Sequence, residues 1–166
     1  MLLWESVKDE FVWEGSWRDI CVPDASLDTW RAVVDAARDC ESRFEAGDGG
    51  PKFPTEIAAV FDHASGSRPL WCISAGRVRL HCHFFDLSEI EFDFDPRQVT
   101  GQLELDAVLR FMGVVARSSG RCALMTPENM HDAPFIRVAP PGEAEYISSE
   151  GFFRQMAEAR TSKSDG

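Results

Sequence analysis

Residues 78–95 read VRLHCHFFDLSEIEFDFD, and this stretch decides the fold. Apolar side chains occupy the even-numbered positions of 78–85 and 89–95, while most odd-numbered positions carry arginine, histidine or a carboxylate. Period-two alternation is typical of a β-strand with one face against the core and the other facing water or a partner. Together with 70–74, the two segments predict a three-stranded antiparallel meander.

Further elements are predicted on both sides of this meander. Apolar residues at helical spacing predict helices, and short apolar runs between turn residues predict strands. The expected elements are a hairpin of 10–13 with 17–22, helices over 27–39, 54–64 and 103–116, strands over 122–125 and 134–138, and a last helix that begins near Ser148.

These elements predict a single α+β domain over residues 1–160, followed by a polar tail over 161–166. Helices pack on one face of an antiparallel sheet in the expected architecture. A hairpin followed by a helix occurs at 10–39 and again at 78–116. The domain could therefore consist of two pseudo-repeated ββα units.

The net negative charge of the chain indicates which class of partner it attracts. The 166 residues carry a formal net charge of −11, and 86–106 contains seven acidic side chains against the single base Arg97. Nucleic-acid binding depends on lysines and arginines that neutralise phosphates, so we expect no nucleic-acid partner. A basic protein would instead meet this surface faster because opposite charges attract.

The cysteines and the absence of a long apolar run predict a cytoplasmic protein. No run approaches the roughly 18 apolar residues of a membrane span, and MLLWE at the start meets charge too early for a signal peptide. The cysteines are odd in number and show no CxxC spacing, so we expect free thiols that act as small apolar residues: Cys21, Cys40, Cys72, Cys82 and Cys122.

Four carboxylates at alternate positions, Glu89, Glu91, Asp93 and Asp95, form an acidic ladder. Unpaired like charges repel, and a basic partner, Mg²⁺ or Ca²⁺ would offset that cost. Cation sites of the oxygen type usually have a glycine-containing loop, which this stretch lacks. A solvated surface would explain the same acids. We expect a non-enzymatic binding protein that engages a basic protein through Glu89, Glu91, Asp93, Asp95, Asp86 and Glu128.

His81 and His83 support an alternative function. Residues two apart on a strand share a face, so both imidazoles point the same way. With a carboxylate from Asp62, Asp86 or Glu89 they would suit zinc or iron, in a metal-binding protein or an enzyme.

A purely structural explanation competes with this metal hypothesis. If 78–85 and 89–95 pair through the turn at 86–88, basic and acidic side chains face one another across the strands. The expected neighbours are Arg77 with Asp95, Arg79 with Asp93, His81 with Glu91, and His83 with Glu89.

Three weaker candidates complete the set. TPEN at 126–129, with His131 and Asp132, is a polar loop that could touch a ligand or could be plain turn chemistry. Asp62 and His63 could form an acid/base pair. A third possible function is a small-ligand module whose pocket lies between the sheet and the helices, served by an exposed Trp4, Trp13 or Trp17.

No motif of a common enzyme class is present. The sequence contains no GxGxxG, P-loop, GxSxG elbow or papain-like cysteine motif. We therefore expect no cofactor.

Three segments carry a resemblance to a known group of proteins: GSWRDI at 15–20, CHFF…EIEFDFDP within 82–96, and LMTPEN at 124–129. The chain resembles small acidic bacterial proteins of unassigned function, some of which are similar to immunity proteins that neutralise secreted toxins. The resemblance implies binding through an acidic surface to a basic partner such as a toxin. It carries no catalytic residues.

Overall fold

The computed structural model of the chain describes residues 1–38, 40–45, 56–61 and 69–147. In these ranges the helices are α1 (Trp4–Val7), α2 (Leu27–Ala37) and α3 (Gln102–Ser119). The strands are β1 (Arg18–Val22), β2 (Ser42–Glu45), β3 (Leu70–Ala75), β4 (Val78–Cys82), β5 (Ile90–Phe94), β6 (Ala123–Pro127), β7 (Ile136–Val138) and β8 (Ala144–Tyr146). Short 3₁₀ helices cover Lys8–Phe11, Ile57–Phe61 and Pro96–Gln98.

The strands form one antiparallel sheet in the order β2-β3-β4-β5-β1-β6-β7-β8. β1 comes early in the chain, yet it lies at the centre, between β5 and β6. This insertion brings residues 18–22 beside residues more than 60 positions away along the chain. The central strands are the ones that position the candidate site.

The two long helices pack on the same face of this sheet, as the sequence predicts. α3 contacts β1, β3, β4, β6 and β7, and α2 packs against α3. α2 begins after Ser26 because the Ser26 side chain accepts the Thr29 N–H and the Thr29 hydroxyl accepts the Ser26 N–H. α3 ends at Gly120, whose φ of +66° is easy only for glycine.

The predicted alternation is confirmed in β4 and β5. Even-numbered side chains point into the core and are fully buried or nearly so: Val78, Leu80, Cys82, Ile90, Phe92 and Phe94. Odd-numbered side chains lie on the opposite face, which the helices leave open. This open face carries the acidic ladder and both histidines.

The predicted N-terminal hairpin is wrong, and with it the duplicated ββα unit is not confirmed. Residues 8–11 form a 3₁₀ helix, and Phe11 turns into the core. The carbonyl oxygens of Glu10 and Val12 accept hydrogen bonds from the guanidinium of Arg18 instead of from a partner strand. Only the second strand of that hairpin forms, as β1.

The predicted boundaries shift elsewhere, and two strands were missed. A short helix is predicted over 54–64, and within the described residues of that range Ile57–Phe61 forms a 3₁₀ helix. The sequence prediction lacks β2 and β8, which have four and three residues. The predicted last helix, the tail at 161–166, and the pair Asp62 and His63 lie outside the described residues.

The expected pairing of His81 with Glu91 is wrong by two residues. β4 ends at Cys82 rather than at 85, and Phe84 takes a φ of +52° while its ring stays in the core. This irregular segment changes the register, so His81 lies opposite Asp93. Arg79 is exposed, and its backbone N–H donates to Gln98. Among the described residues, Arg77 and Arg79 form no ion pair with the ladder, whereas Arg97 pairs with Asp95.

None of the helices in the described ranges is both long enough and apolar enough to traverse a lipid bilayer.

Candidate functional site

Strand pairing places acidic side chains from distant parts of the chain next to each other on the open face. Asp19 of β1 lies directly opposite Asp93 of β5, and on its other side opposite Thr126 of β6. One step along, Cys21 lies opposite Glu91. Like charges on directly opposed residues destabilise a sheet, so the Asp19–Asp93 pair has a cost that other groups must offset.

Two histidines share the carboxylate of Asp93. His81 Nδ1 lies 3.2 Å from Asp93 Oδ1, and His83 Nε2 lies 3.0 Å from Asp93 Oδ2. Each ring can donate an N–H to its own oxygen, which fixes the orientation of the carboxylate. The His81 ring also packs against Trp17, with the ring centroids 5.6 Å apart.

These groups line an open pocket of about 370 Å³. Its walls are Trp17, Leu70, His81, His83 and Asp93. The pocket thus has a mostly apolar lining, to which Asp93 contributes the one carboxylate.

A third histidine, His131, lies on the connection between β6 and β7 and covers the other end of the open face. Its Nδ1 is 2.8 Å from Glu89 Oε1, and its Nε2 is 3.4 Å from Glu91 Oε2 and 3.7 Å from Asp19 Oδ2. One imidazole therefore touches three carboxylates. His131 Nε2 is buried and makes no hydrogen bond within the described part of the chain.

Burial and mutual repulsion perturb these carboxylates. Asp19 is 2% exposed, and burial raises the pKa of its carboxyl even though it accepts the Asn129 N–H at 2.7 Å. Burial, followed by the charge of Asp19, raises the pKa of Glu91 to about 7. Among the described residues, only histidines form ion pairs with Asp19, Glu89, Glu91 and Asp93.

Cys21 belongs to the same cluster. Cys21, Glu89, Glu91 and His131 each offer one metal-ligating atom, and these atoms all lie within 4.8 Å of one another. Burial, with the nearby charges of Glu89 and Glu91, raises the pKa of the Cys21 thiol well above its ordinary value. The metal-free cluster therefore holds a protonated thiol at neutral pH.

Comparison of the chain with known protein families, curated proteins and solved structures found no match.

The predicted contact residues have different surroundings. Glu89, Glu91 and Asp93 lie on the open face among the histidines, each with about a fifth to a quarter of its side chain exposed. Asp95 accepts hydrogen bonds from the guanidinium and backbone N–H of Arg97. Asp86 accepts from the N–H and hydroxyl of Ser88 in an exposed turn.

Glu128 has a positioning role next to the pocket. Its carboxylate accepts the backbone N–H of Trp17 at 2.9 Å, and its own N–H donates to the Trp17 carbonyl. It therefore anchors an aromatic wall of the pocket.

Sequence reasoning missed Asp19 and Cys21 and gave His131 only a minor place. Cys21 was expected to act as a small apolar residue, whereas it faces carboxylates. The sequence did contain a signal. In RDICV, Asp19 and Cys21 are two residues apart with Ile20 between them, so a strand places both side chains on one face. The sequence did not show that this strand pairs with β5 and β6, which is what brings Asp19 and Cys21 to the carboxylates.

The raised pKa of Glu91 predicts a pH-dependent stability. A carboxyl with a raised pKa in the folded state holds its proton more tightly there, so the free energy of unfolding falls as the pH rises from about 4.5 to about 7. We expect Glu91→Gln to stabilise the protein by about 1–2 kcal/mol at pH 8, after discounting for partial exposure, and to change little at pH 5. Urea denaturation in EDTA measures both values. An equal effect at both pH values would contradict the raised pKa.

Proposed function

We propose that this chain is a non-enzymatic binding protein that recognises a basic protein partner on the open face of its sheet. The observation that carries the proposal is the pocket formed by Trp17, Leu70, His81, His83 and Asp93. A lysine or arginine side chain of the partner is the occupant that fits it.

The chemistry of the pocket favours a cation. An indole face attracts an ammonium or guanidinium group placed over it, and this contact gains strength away from water. Asp93 supplies the opposite charge, and its side chain is only 20% exposed. The two histidine N–H groups hold its oxygens in place, so little order is lost when a cation binds.

The surroundings of the pocket extend the binding surface. Phe85 is half exposed and stacks on His83, with the ring centroids 5.0 Å apart. Glu89 and Glu91 add negative charge on the same face, without a lysine or arginine partner among the described residues. The net charge of −11 would speed the approach of a basic protein.

An immunity-type role toward a basic toxin is the form of this function that we propose, with a cytoplasmic location. All five cysteines are free thiols, which suits a reducing compartment. Asp95, Asp86 and Glu128 are secondary in this proposal, because each already serves the fold through Arg97, Ser88 or Trp17.

Binding of a hexa-arginine peptide to the full chain tests the proposal. We expect saturable binding that weakens with salt and shifts the NMR signal of the Trp17 indole. Asp93→Asn should weaken the affinity by about 10-fold and Trp17→Ala by about 5-fold. Isothermal titration gives the affinities, and thermal melts confirm that both variants fold.

The control is Asp28→Asn, which removes one charge from an exposed position on α2, away from the open face. It should change peptide affinity less than about twofold, because Asp28 pairs with Arg31 on the helix surface and contributes only general negative charge to the peptide's approach. Equal losses in Asp93→Asn and Asp28→Asn would refute the pocket. If N-acetyl-arginine amide bound as tightly as the peptide, a small-ligand module would replace a protein partner.

A further inference from the structure

The end of the open face nearest His131 has an electrostatic imbalance that the cation pocket does not resolve. Asp19, Glu89 and Glu91 all lie within 4 Å of the His131 ring, and Asp19 is almost completely buried. Burying carboxylates without a compensating cation is costly, so such clusters usually hold a cation or give up their charge. Among the described residues, no lysine or arginine forms an ion pair with these three carboxylates.

A buried hydroxyl points to an occupant of this cluster. Thr126 is fully buried on the open-face side of β6, opposite Asp19 and beside the Cys21 thiol. Its hydroxyl lies within reach of the Cys21 sulfur and has no other hydrogen-bond partner among the described residues. A thiolate at Cys21 would accept that hydroxyl, and hydrogen bonds to ligating atoms are a regular feature of metal sites. The buried Nε2 of His131 is a second atom that lacks a hydrogen bond here.

We propose that Cys21, Glu89, Glu91 and His131 bind a divalent transition-metal ion, for which zinc is the best match. The four side chains offer one sulfur, one nitrogen and two oxygen ligands within 4.8 Å of one another. In a tetrahedral zinc site with bonds of about 2.0–2.3 Å, the ligand atoms lie about 3.3–3.8 Å apart. Side-chain adjustments of about an ångström therefore close the site.

The ligand types select against the common hard cations. Mg²⁺ and Ca²⁺ prefer sets made of oxygen alone, whereas a thiolate with an imidazole favours zinc and its neighbours. Four protein ligands also leave no open position for a reacting water, which is the pattern of structural zinc sites. The ion would tie the connection that carries His131 to β1 and β5.

This site differs from the pair suggested by the sequence. His81 and His83 both face Asp93, and neither belongs to the metal-compatible cluster. The site is also separate from the cation pocket, since the four ligands include none of the pocket residues. The pocket and the metal site can therefore be tested separately, although a bound metal would take Glu89 and Glu91 out of the partner surface.

The test uses Zn²⁺ and Co²⁺ alone on the full chain after EDTA treatment and dialysis. We expect one equivalent of zinc by calorimetry, a higher melting temperature with zinc, and a thiolate-to-cobalt charge-transfer band with Co²⁺. Cys21→Ser should remove the band and weaken zinc binding by about 100-fold or more.

His131→Gln is a second variant in case Cys21→Ser does not fold. His131 lies on a connection and its side chain is 35% exposed, so we expect this change to leave the fold intact. It should weaken zinc binding by a similar factor and abolish the melting shift. The matched controls are Cys72→Ser and His83→Ala, which alter the same open face outside the cluster and should keep zinc affinity within about twofold.

Three results would overturn the proposal: no stoichiometric metal, a cobalt band that persists in Cys21→Ser, or a band that disappears in Cys72→Ser. Asp93→Asn separates the two proposals, because it should impair peptide binding and leave zinc affinity within about twofold.

Discussion

Replacing Trp30 by alanine should lower the free energy of unfolding by about 4 kcal/mol, a large part of the total stability of a small domain. Trp30 projects from α2 and is completely buried. Its ring packs on Phe61 and Phe84, with centroids 5.1 and 5.2 Å away. Alanine would leave a cavity of most of an indole, and rigid neighbours collapse into such cavities only in part. Urea denaturation followed by circular dichroism measures the loss.

Part of this loss comes from one hydrogen bond. The Trp30 indole N–H donates to the carbonyl of Leu87 at 2.9 Å, which ties the helix to the segment after β4. Trp30→Phe keeps most of the packing but leaves that carbonyl without its donor, so we expect a loss of about 1–2 kcal/mol. Trp13→Ala is the surface control, since Trp13 is 39% exposed and contacts only Arg97 among the ring contacts described; its loss should stay below about 1 kcal/mol. Similar losses for Trp30→Ala and Trp13→Ala would contradict this account of the core.

The division of residues between the core and the open face could be predicted because strand periodicity is local. The alternation of Val78 to Phe94 needs no knowledge of neighbouring strands, since successive side chains on any strand point to opposite faces. The helices follow for the same reason, with Trp30, Val33 and Val34 at helical spacing on the buried side of α2. Fold class was therefore within reach of the sequence.

Register could not be predicted because it depends on the conformation of a single irregular segment. Phe84 is buried among Trp30, Trp71 and Phe44, and the core accepts its ring although the backbone has a positive φ. Burial of a large aromatic side chain gains more free energy than an unfavourable backbone conformation of this kind costs. No local pattern in CHFFD at 82–86 predicts a positive φ at Phe84. Because of the two-residue shift, His81 lies opposite Asp93, and the carboxylate of Glu91 contacts His131 instead.

The composition of the site depended on non-local strand order. Asp19, Glu91 and His131 are neighbours because β1 inserts between β5 and β6, and Asn129 donates to Asp19 across 110 residues of sequence. The acidic ladder was visible in the sequence, but its counter-groups were not. The prediction of an exposed, available ladder accordingly becomes a recessed face in which histidines occupy part of the carboxylate surface.

Arg18→Met should be the second most destabilising change, with a loss of about 3 kcal/mol in the free energy of unfolding. Arg18 is 3% exposed, and its guanidinium donates to the carbonyls of Glu10, Val12 and Trp17. Methionine fills the apolar part of the space but supplies no donor, so three partly buried backbone carbonyl oxygens lose their partner. Because these carbonyls belong to the segment that ends in Trp17, the wall of the cation pocket should loosen as well.

Two further variants separate the donors of Arg18 from its charge. Glu14 is the carboxylate that pairs with Arg18, and it is 68% exposed, so Glu14→Gln should cost less than about 0.5 kcal/mol. Arg18→Lys keeps the charge but not the planar fork of donors, and we expect a loss of about 2 kcal/mol. The stability loss should decrease from Arg18→Met to Arg18→Lys to Glu14→Gln only if Arg18 stabilises the fold through the backbone carbonyls. A loss in Glu14→Gln as large as that in Arg18→Met would mean that the ion pair, rather than the backbone contacts, organises this segment. Arg18→Met should also weaken binding of the hexa-arginine peptide about as much as Trp17→Ala, because both changes disturb the Trp17 wall of the pocket.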